Sequence, residues 1–136
     1  MTELVGLDAV NMGLVKLLGI VVESANGDEV VLSMRIGPDH LQNAGIVHGG
    51  VHCALVESAA SIGAYLWFNG QPGGGGRVAG VNNNTDFLRS STGGRVTAIA
   101  TPIHRGRTQQ LWLVLVADAD GKALARGQVR LHNFPA

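Results

Sequence analysis

Residues Gly49 to Phe68 read GGVHCALVESAASIGAYLWF, a helix pattern that is apolar on nearly every face. Such a helix has to be largely enclosed by the rest of its protein. One carboxylate, Glu57, stands in the middle of it. Burying a carboxylate costs several kcal/mol unless it is paired or hydrogen-bonded. The chain must therefore wrap one helix and provide for one buried acid.

The segments around the helix read as strands. Residues 7–18 suit a short amphipathic helix, and Leu17 to Ser24 suits a strand. Asn26-Gly27 reads as a two-residue hairpin turn, because both residues accept positive φ. Val30, Leu32, Met34 and Ile36 alternate with Val31, Ser33 and Arg35, the period of a half-buried strand. After the helix, NGQPGGGG over residues 69–76 reads as a connecting loop. It lacks the Lys-Ser or Lys-Thr of a phosphate-binding P-loop. Three further strands are expected at Arg77–Arg89, Arg95–His104 and Gln110–Asp118. The last, rich in LWLVLVA, suggests burial on both faces. Asp120-Gly121 signals a second two-residue hairpin before a final strand, Lys122–His132. Short turns between consecutive strands give antiparallel pairing. The expected architecture is α+β, an antiparallel sheet of five or six strands curled around one central helix.

At 136 residues the chain fits one domain, taken as residues 1–136. Ten Lys and Arg balance ten Asp and Glu, so the basic field of a general nucleic-acid or membrane-surface binder is missing. No apolar run approaches the roughly 20 residues of a membrane span. A single cysteine, Cys53, rules out an intrachain disulfide and suits a reducing compartment. The first residues do not read as a signal peptide. A cytoplasmic protein is expected. The histidines, His52, His104 and His132 among them, lack metal-ligand spacing, so no metal is expected.

Chemistry is suggested at the helix start. Free N–H groups at Gly49 and Gly50, aided by the helix dipole, form a site for negative charge. An oxyanion developing on a carbonyl would be stabilised there. Gln42 and His48 on the preceding loop can add donors. Glu57 and Ser61 are four residues apart and share a helix face. Gly49 and Glu57, however, are eight residues apart, about 12 Å along a helix. A nucleophile must come within roughly 3–3.5 Å of the carbon it attacks. One helix can hardly present both residues to one carbonyl, whereas two antiparallel copies can. If both residues act, the site is shared between two chains.

Gln42, the run Gly45-Ile46-Val47-His48-Gly49-Gly50, Glu57 and Ser61 together resemble the acyl-CoA thioesterases of the hotdog-fold superfamily. The similarity is to the branch holding the 4-hydroxybenzoyl-CoA, 1,4-dihydroxy-2-naphthoyl-CoA and phenylacetate-pathway enzymes. Gln42 stands fifteen residues before the acid and Ser61 four after it, as in that branch. Val81 to Arg89, Pro102 to Arg107 with Gln110 to Trp112, and Asp118 to Lys122 extend the likeness over most of the chain from Leu17 onward. Where some relatives carry a histidine pair before the position of Arg89, this chain has Phe87 and Leu88.

The resemblance implies hydrolysis of an acyl-CoA, aromatic or of medium length, to free acid and CoA. It gives Gly49 the role of oxyanion donor, assisted by Gln42 and His48. Glu57 of a partner subunit is nucleophile or general base, and Ser61 holds the carboxylate or the water. Gly50, Asn43 and Asn84 are expected to contact substrate. Arg89, Arg105 and Arg107 are expected to meet CoA phosphates, since arginine suits phosphate. No cofactor is implied, CoA being part of the substrate. The expected partner is a second copy of the chain, in a homodimer that pairs into a homotetramer. Two other readings remain open at this point: an acyl-thioester hydratase or dehydratase on the same fold, and a non-catalytic acyl-CoA-binding module.

Overall fold

A computed structural model of the chain describes residues 10–136. A short helix α1 (Gly13–Leu18) leads into the hairpin β1 (Val21–Ala25) and β2 (Val30–Arg35). A single 3-10 turn (Pro38–His40) and a loop precede the long helix α2 (Gly49–Asn69). Then follow β3 (Gly76–Phe87), β4 (Arg95–Arg105), β5 (Gln109–Ala117) and β6 (Ala123–Pro135). The six strands form one antiparallel sheet in the order β1-β2-β4-β5-β6-β3. The sheet curls around α2, as the helix pattern required.

Alternation decides which side chains meet the helix. Val30, Leu32 and Met34 of β2, Trp112, Val114 and Val116 of β5, and Val129 and Leu131 of β6 are buried against Leu55, Val56, Ala59 and Ala60 of α2. Each such side chain contributes about 1.5–3 kcal/mol by leaving water. Two glycines let the layers close. A Cβ at Gly63 would stand 2.6 Å from the Trp112 ring, and one at Gly127 would stand 2.5 Å from Val56. The polar side chains of Gln110, Trp112 and Asn133 drawn into this core are matched. Trp112 Nε1 donates to Gln110 Oε1 at 2.8 Å, and Gln110 Nε2 donates to Asn133 Oδ1 at 2.9 Å and to the Ala64 carbonyl at 3.1 Å.

Several expectations are corrected. The first strand begins at Val21 because Leu17 and Leu18 belong to α1, which Gly19 ends at φ 74°. The expected helix over residues 7–18 is described only in part: Met12 is extended and breaks it, and residues 7–9 lie outside the described residues. The β1–β2 connection is a four-residue loop, with Ala25 paired to Val30. Asn26 Oδ1 accepts from the Asp28 and Glu29 N–H groups, so neither Asn26 nor Gly27 needs positive φ. At the β5–β6 turn only Gly121 has positive φ, and Asp118 Oδ1 collects the Asp120 and Lys122 N–H groups.

β5 is not buried on both faces, because only its inner side meets α2. Leu111 and Leu113 on the outer side are half-buried and Leu115 is 40% exposed. The helix, too, is enclosed on all but one stripe, on which Glu57, Ser58, Ser61 and Ile62 are half-buried and Tyr65 is exposed. By length and composition alone α2 is apolar enough to cross a membrane, which corrects the expectation that no segment is. Its apolar faces are occupied by the sheet.

Candidate active site

The loop before α2 is drawn into a narrow turn. The Gln42 N–H donates to the Ile46 carbonyl, Gly45 N–H donates to the Gln42 carbonyl, and Gly45 adopts φ 81°. His40 anchors the base of this loop. Its Nδ1 accepts from the Gly37 N–H at 2.9 Å and its Nε2 donates to the Leu18 carbonyl at 2.7 Å. The chain then enters α2 at His48, the N-cap, whose Nδ1 accepts from the Gly50 N–H at 2.8 Å. Gly50 is thereby committed to the cap. The Gly49 N–H meets no acceptor among the described residues.

Gly49 lines a cavity of about 330 Å³ between the loop and the end of β3. Gln42, Gly49, His52, Phe87 and Arg89 line it. Gln42 Oε1 accepts from the Ala44 N–H, so the Gln42 amide nitrogen remains as a donor. The Phe87 ring lies against Gly49, where a Cβ would stand 2.8 Å from it. His52 is 4% exposed, and its Nδ1 is sealed from solvent without a hydrogen-bond partner. Burial lowers its pKa below the ordinary 6.5. One free peptide N–H, a side-chain amide and a nearby cation suit this end of the helix to a polarised carbonyl and an anionic group.

Glu57 lies two turns further along α2, against β3. Its Oε1 accepts from Asn83 Nδ2 at 3.2 Å. Asn83 Nδ2 also donates to the Cys53 carbonyl at 3.1 Å, while Asn83 Oδ1 accepts from the Thr85 hydroxyl at 2.6 Å. A Cβ on Gly80 would run into Glu57 Oε2. Glu57 and Ser61 share the uncovered stripe, with no hydrogen bond between them. Glu57 does not line the Gly49 cavity, consistent with about 12 Å of helix between the two. One chain thus keeps two candidate half-sites apart, the Gly49 cavity and the positioned Glu57 carboxylate.

The profile of the Thioesterase superfamily matches residues 44–125, which include Gly49 and Glu57. This chain belongs to that superfamily. The chain is 50% identical over 119 residues to a Mycobacterium tuberculosis (strain ATCC 25618 / H37Rv) protein named "putative esterase", covering 88% of this chain and 84% of the relative. It is 31% identical over 117 residues to the 1,4-dihydroxy-2-naphthoyl-CoA hydrolase of Escherichia coli (strain K12), covering 85% and 83%. Its fold superposes on the crystal structure of a Haemophilus influenzae thioesterase with a TM-score of 0.84 at 29% identity, covering 93% of this chain and 85% of that one. The hotdog architecture and thioester hydrolysis follow from this membership.

Not every residue singled out from the sequence reaches a half-site of the thioesterase. His48 is spent on capping and does not line the cavity. Asn43 is exposed on the loop turn. Arg105 stands at the other end of α2, about 27 Å along its axis from Gly49. There its Nη1 donates to Asp28 Oδ1 at 2.7 Å and to the Gly27 carbonyl at 2.6 Å, and its guanidinium lies 5.6 Å from the Trp67 ring. Arg107 sits in the same turn region, exposed.

Asn84 points away from Glu57, and Asn83 takes its place. Regular alternation from Val78 would turn Asn82 and Asn84 inward. A bulge between Gly80 and Asn82 adds one residue, so Asn83, Thr85 and Phe87 face α2 instead. Asn83, Gly80, Phe87 and His52 were all missed as site residues. The polar run at 82–84 was the one sequence signal that pointed near them.

Proposed function

We propose that this protein hydrolyses an acyl-CoA thioester to the carboxylic acid and free CoA, in a site shared by two copies of the chain. The observation that carries the reading is the unpartnered N–H of Gly49, a residue that lines one cavity with Gln42 and Arg89. The thioester carbonyl oxygen accepts from Gly49 N–H and Gln42 Nε2. Charge growing on that oxygen is worth more against fixed donors in a dry site than in water. Arg89, exposed at the cavity rim, meets the CoA phosphates.

The carboxylate comes from the partner subunit's Glu57. Acting as a base, it takes a proton from water as the hydroxyl adds to the carbonyl carbon. The tetrahedral intermediate then expels the CoA thiolate, which recovers a proton. Acting as a nucleophile, it expels the thiolate first and forms an anhydride that water cleaves. Neither course uses a metal or a cofactor.

Two features support pairing. β3 is an edge strand of twelve residues, and a long open edge invites another strand. The uncovered stripe of α2 that holds Glu57 lies beside that edge, since Glu57 contacts Gly80 and Asn83 of β3. A second copy joined at β3 would cover both. The half-buried leucines on the outer side of β5 favour further association into a tetramer. The balanced charge and lone cysteine suit the cytoplasm. The acyl group is taken as aromatic or of medium length, by analogy with the naphthoyl-CoA relative.

The test is CoA release from benzoyl-, 4-hydroxybenzoyl-, phenylacetyl-, hexanoyl- and palmitoyl-CoA, with wild type beside Glu57→Ala. A loss of at least about 100-fold in a folded, dimeric variant, equal to about 2.7 kcal/mol of barrier, supports the reading. Equal turnover in both removes Glu57 from the chemistry. Tight binding without turnover indicates an acyl-CoA-binding module, and hydration of crotonyl-CoA indicates a hydratase.

A further inference from the structure

Burial of an unpaired polar atom is uncommon, and His52 is such a case. Three histidines surround the start of α2, and two of them have structural employment. His40 uses both ring nitrogens and His48 uses Nδ1. His52 is 4% exposed and its Nδ1 has no partner. An unsatisfied buried polar group is destabilising, and its persistence asks for a reason.

The position of the ring indicates what it faces. His52 is three residues beyond Gly49, so the two lie on one side of the helix. A helical side chain leans toward the N-terminus, which carries the imidazole over the turn that begins at Gly49. Both residues line the same cavity. Phe87 covers the pair: its ring lies against Gly49, and its centroid is 6.1 Å from that of His52. Phe87 is itself 58% exposed.

We propose that His52 is a specificity-determining residue that hydrogen-bonds a hydroxyl carried by the acyl group of the substrate. This rests on the thioesterase reading above. With the carbonyl at Gly49, the thioester extends in two directions. The exposed cation Arg89 suits the phosphate-bearing side, which leaves the buried His52 for the acyl side. Burial disfavours the charged ring, and a neutral imidazole has one donor and one acceptor. A hydroxyl both donates and accepts, so it can pair with either tautomer, and an aliphatic or plain aryl group pairs with neither.

The test uses matched substrates, benzoyl- against 4-hydroxybenzoyl-CoA and butyryl- against 3-hydroxybutyryl-CoA, with wild type, His52→Leu and His52→Asn. In at least one pair wild type should favour the hydroxylated member by about tenfold or more in kcat/KM, as expected when a polar group is otherwise left unpaired. The preference should fall below about twofold in His52→Leu and be partly kept in His52→Asn. No preference in wild type, or an undiminished one in folded His52→Leu, overturns the proposal.

A second readout does not depend on the variants folding. The 15N resonances of the His52 ring should move on adding 4-hydroxybenzoate and stay in place on adding benzoate. Equal shifts with both acids, or with neither, also overturn it. Absence of turnover with every CoA thioester would instead defeat the thioesterase reading, and the 15N measurement would still judge His52 on its own.

Discussion

Asn83 Nδ2 lies 3.2 Å from Glu57 Oε1, and its amide is held that way round because the same Nδ2 donates to the Cys53 carbonyl, an obligate acceptor, at 3.1 Å. The Thr85 hydroxyl, 2.6 Å from Asn83 Oδ1, braces the other end of the amide. Asn83→Ala should lower kcat by about tenfold with little change in KM, because it loosens the carboxylate without touching bound substrate. Thr85→Val should produce a smaller loss, and the double variant no more than Asn83→Ala alone. Steady-state kinetics of the four proteins checks this; additive losses would mean that the two side chains act separately.

Gly80 tests the same carboxylate from its other oxygen. A Cβ there would occupy the place of Glu57 Oε2. Gly80 is an exposed position on an edge strand, so alanine is tolerated by the strand but not by the carboxylate. Gly80→Ala should retain the fold and Tm within a few degrees while turnover falls by about 100-fold. A large loss of Tm with turnover per folded molecule unchanged would place the collision elsewhere.

The oxyanion donor can be removed one atom at a time. Gly49 is the first residue of α2, where proline is well tolerated, and His48 before it already has the extended ψ of 134° that a following proline requires. Because a Cβ at this position meets Phe87, the substitution belongs in a Phe87→Ala background. There Gly49→Pro should reduce kcat by about 10²–10³, the usual effect of losing an oxyanion donor. Far-ultraviolet circular dichroism should match that of Phe87→Ala. Equal rates would show that another group receives the charge.

His52 gives the stability a pH dependence of known sign. Burial holds its pKa below the ordinary 6.5. As pH falls through about 6.5 the unfolded chain takes up a proton that the folded chain refuses, so stability declines. Above that pH both states are neutral and the ring adds no slope. Urea unfolding should show wild type losing more stability than His52→Leu between about pH 7 and about pH 5. Parallel curves would mean that the ring protonates freely in the folded protein.

Elements with a strong period were legible in the sequence. The bounds of α2, the alternation of β2 and the run of β5 lie where the apolar spacing put them, Gln42 and Gly49 line one cavity, and Glu57 stands apart from it against β3. Features that depend on a single residue's backbone were less legible. Asn26-Gly27 looks like a tight turn, yet Asn26 is better used collecting two N–H groups with its side chain. The bulge at Val81 leaves no mark that distinguishes Asn83 from Asn84. Arg105 could not be separated from Arg89 without knowing that Asp28 would fold against it. His52 was hidden for another reason. It was weighed only as a metal ligand, whereas its significance lies in having no partner.

The two glycines that open α2 look interchangeable and are not. His48 consumes the N–H of Gly50, and the N–H of Gly49 is left over. Mutational drift should therefore act very differently on these neighbours. The capping task needs only an acceptor, which Asn, Ser or Thr supplies as well as histidine does, so His48 is free to wander among neutral caps. Aspartate caps equally well in general, yet here it would set a fixed negative charge beside the vacant N–H and spoil it for an anionic guest. The helix start thus separates a replaceable structural post from an irreplaceable vacancy, one residue apart.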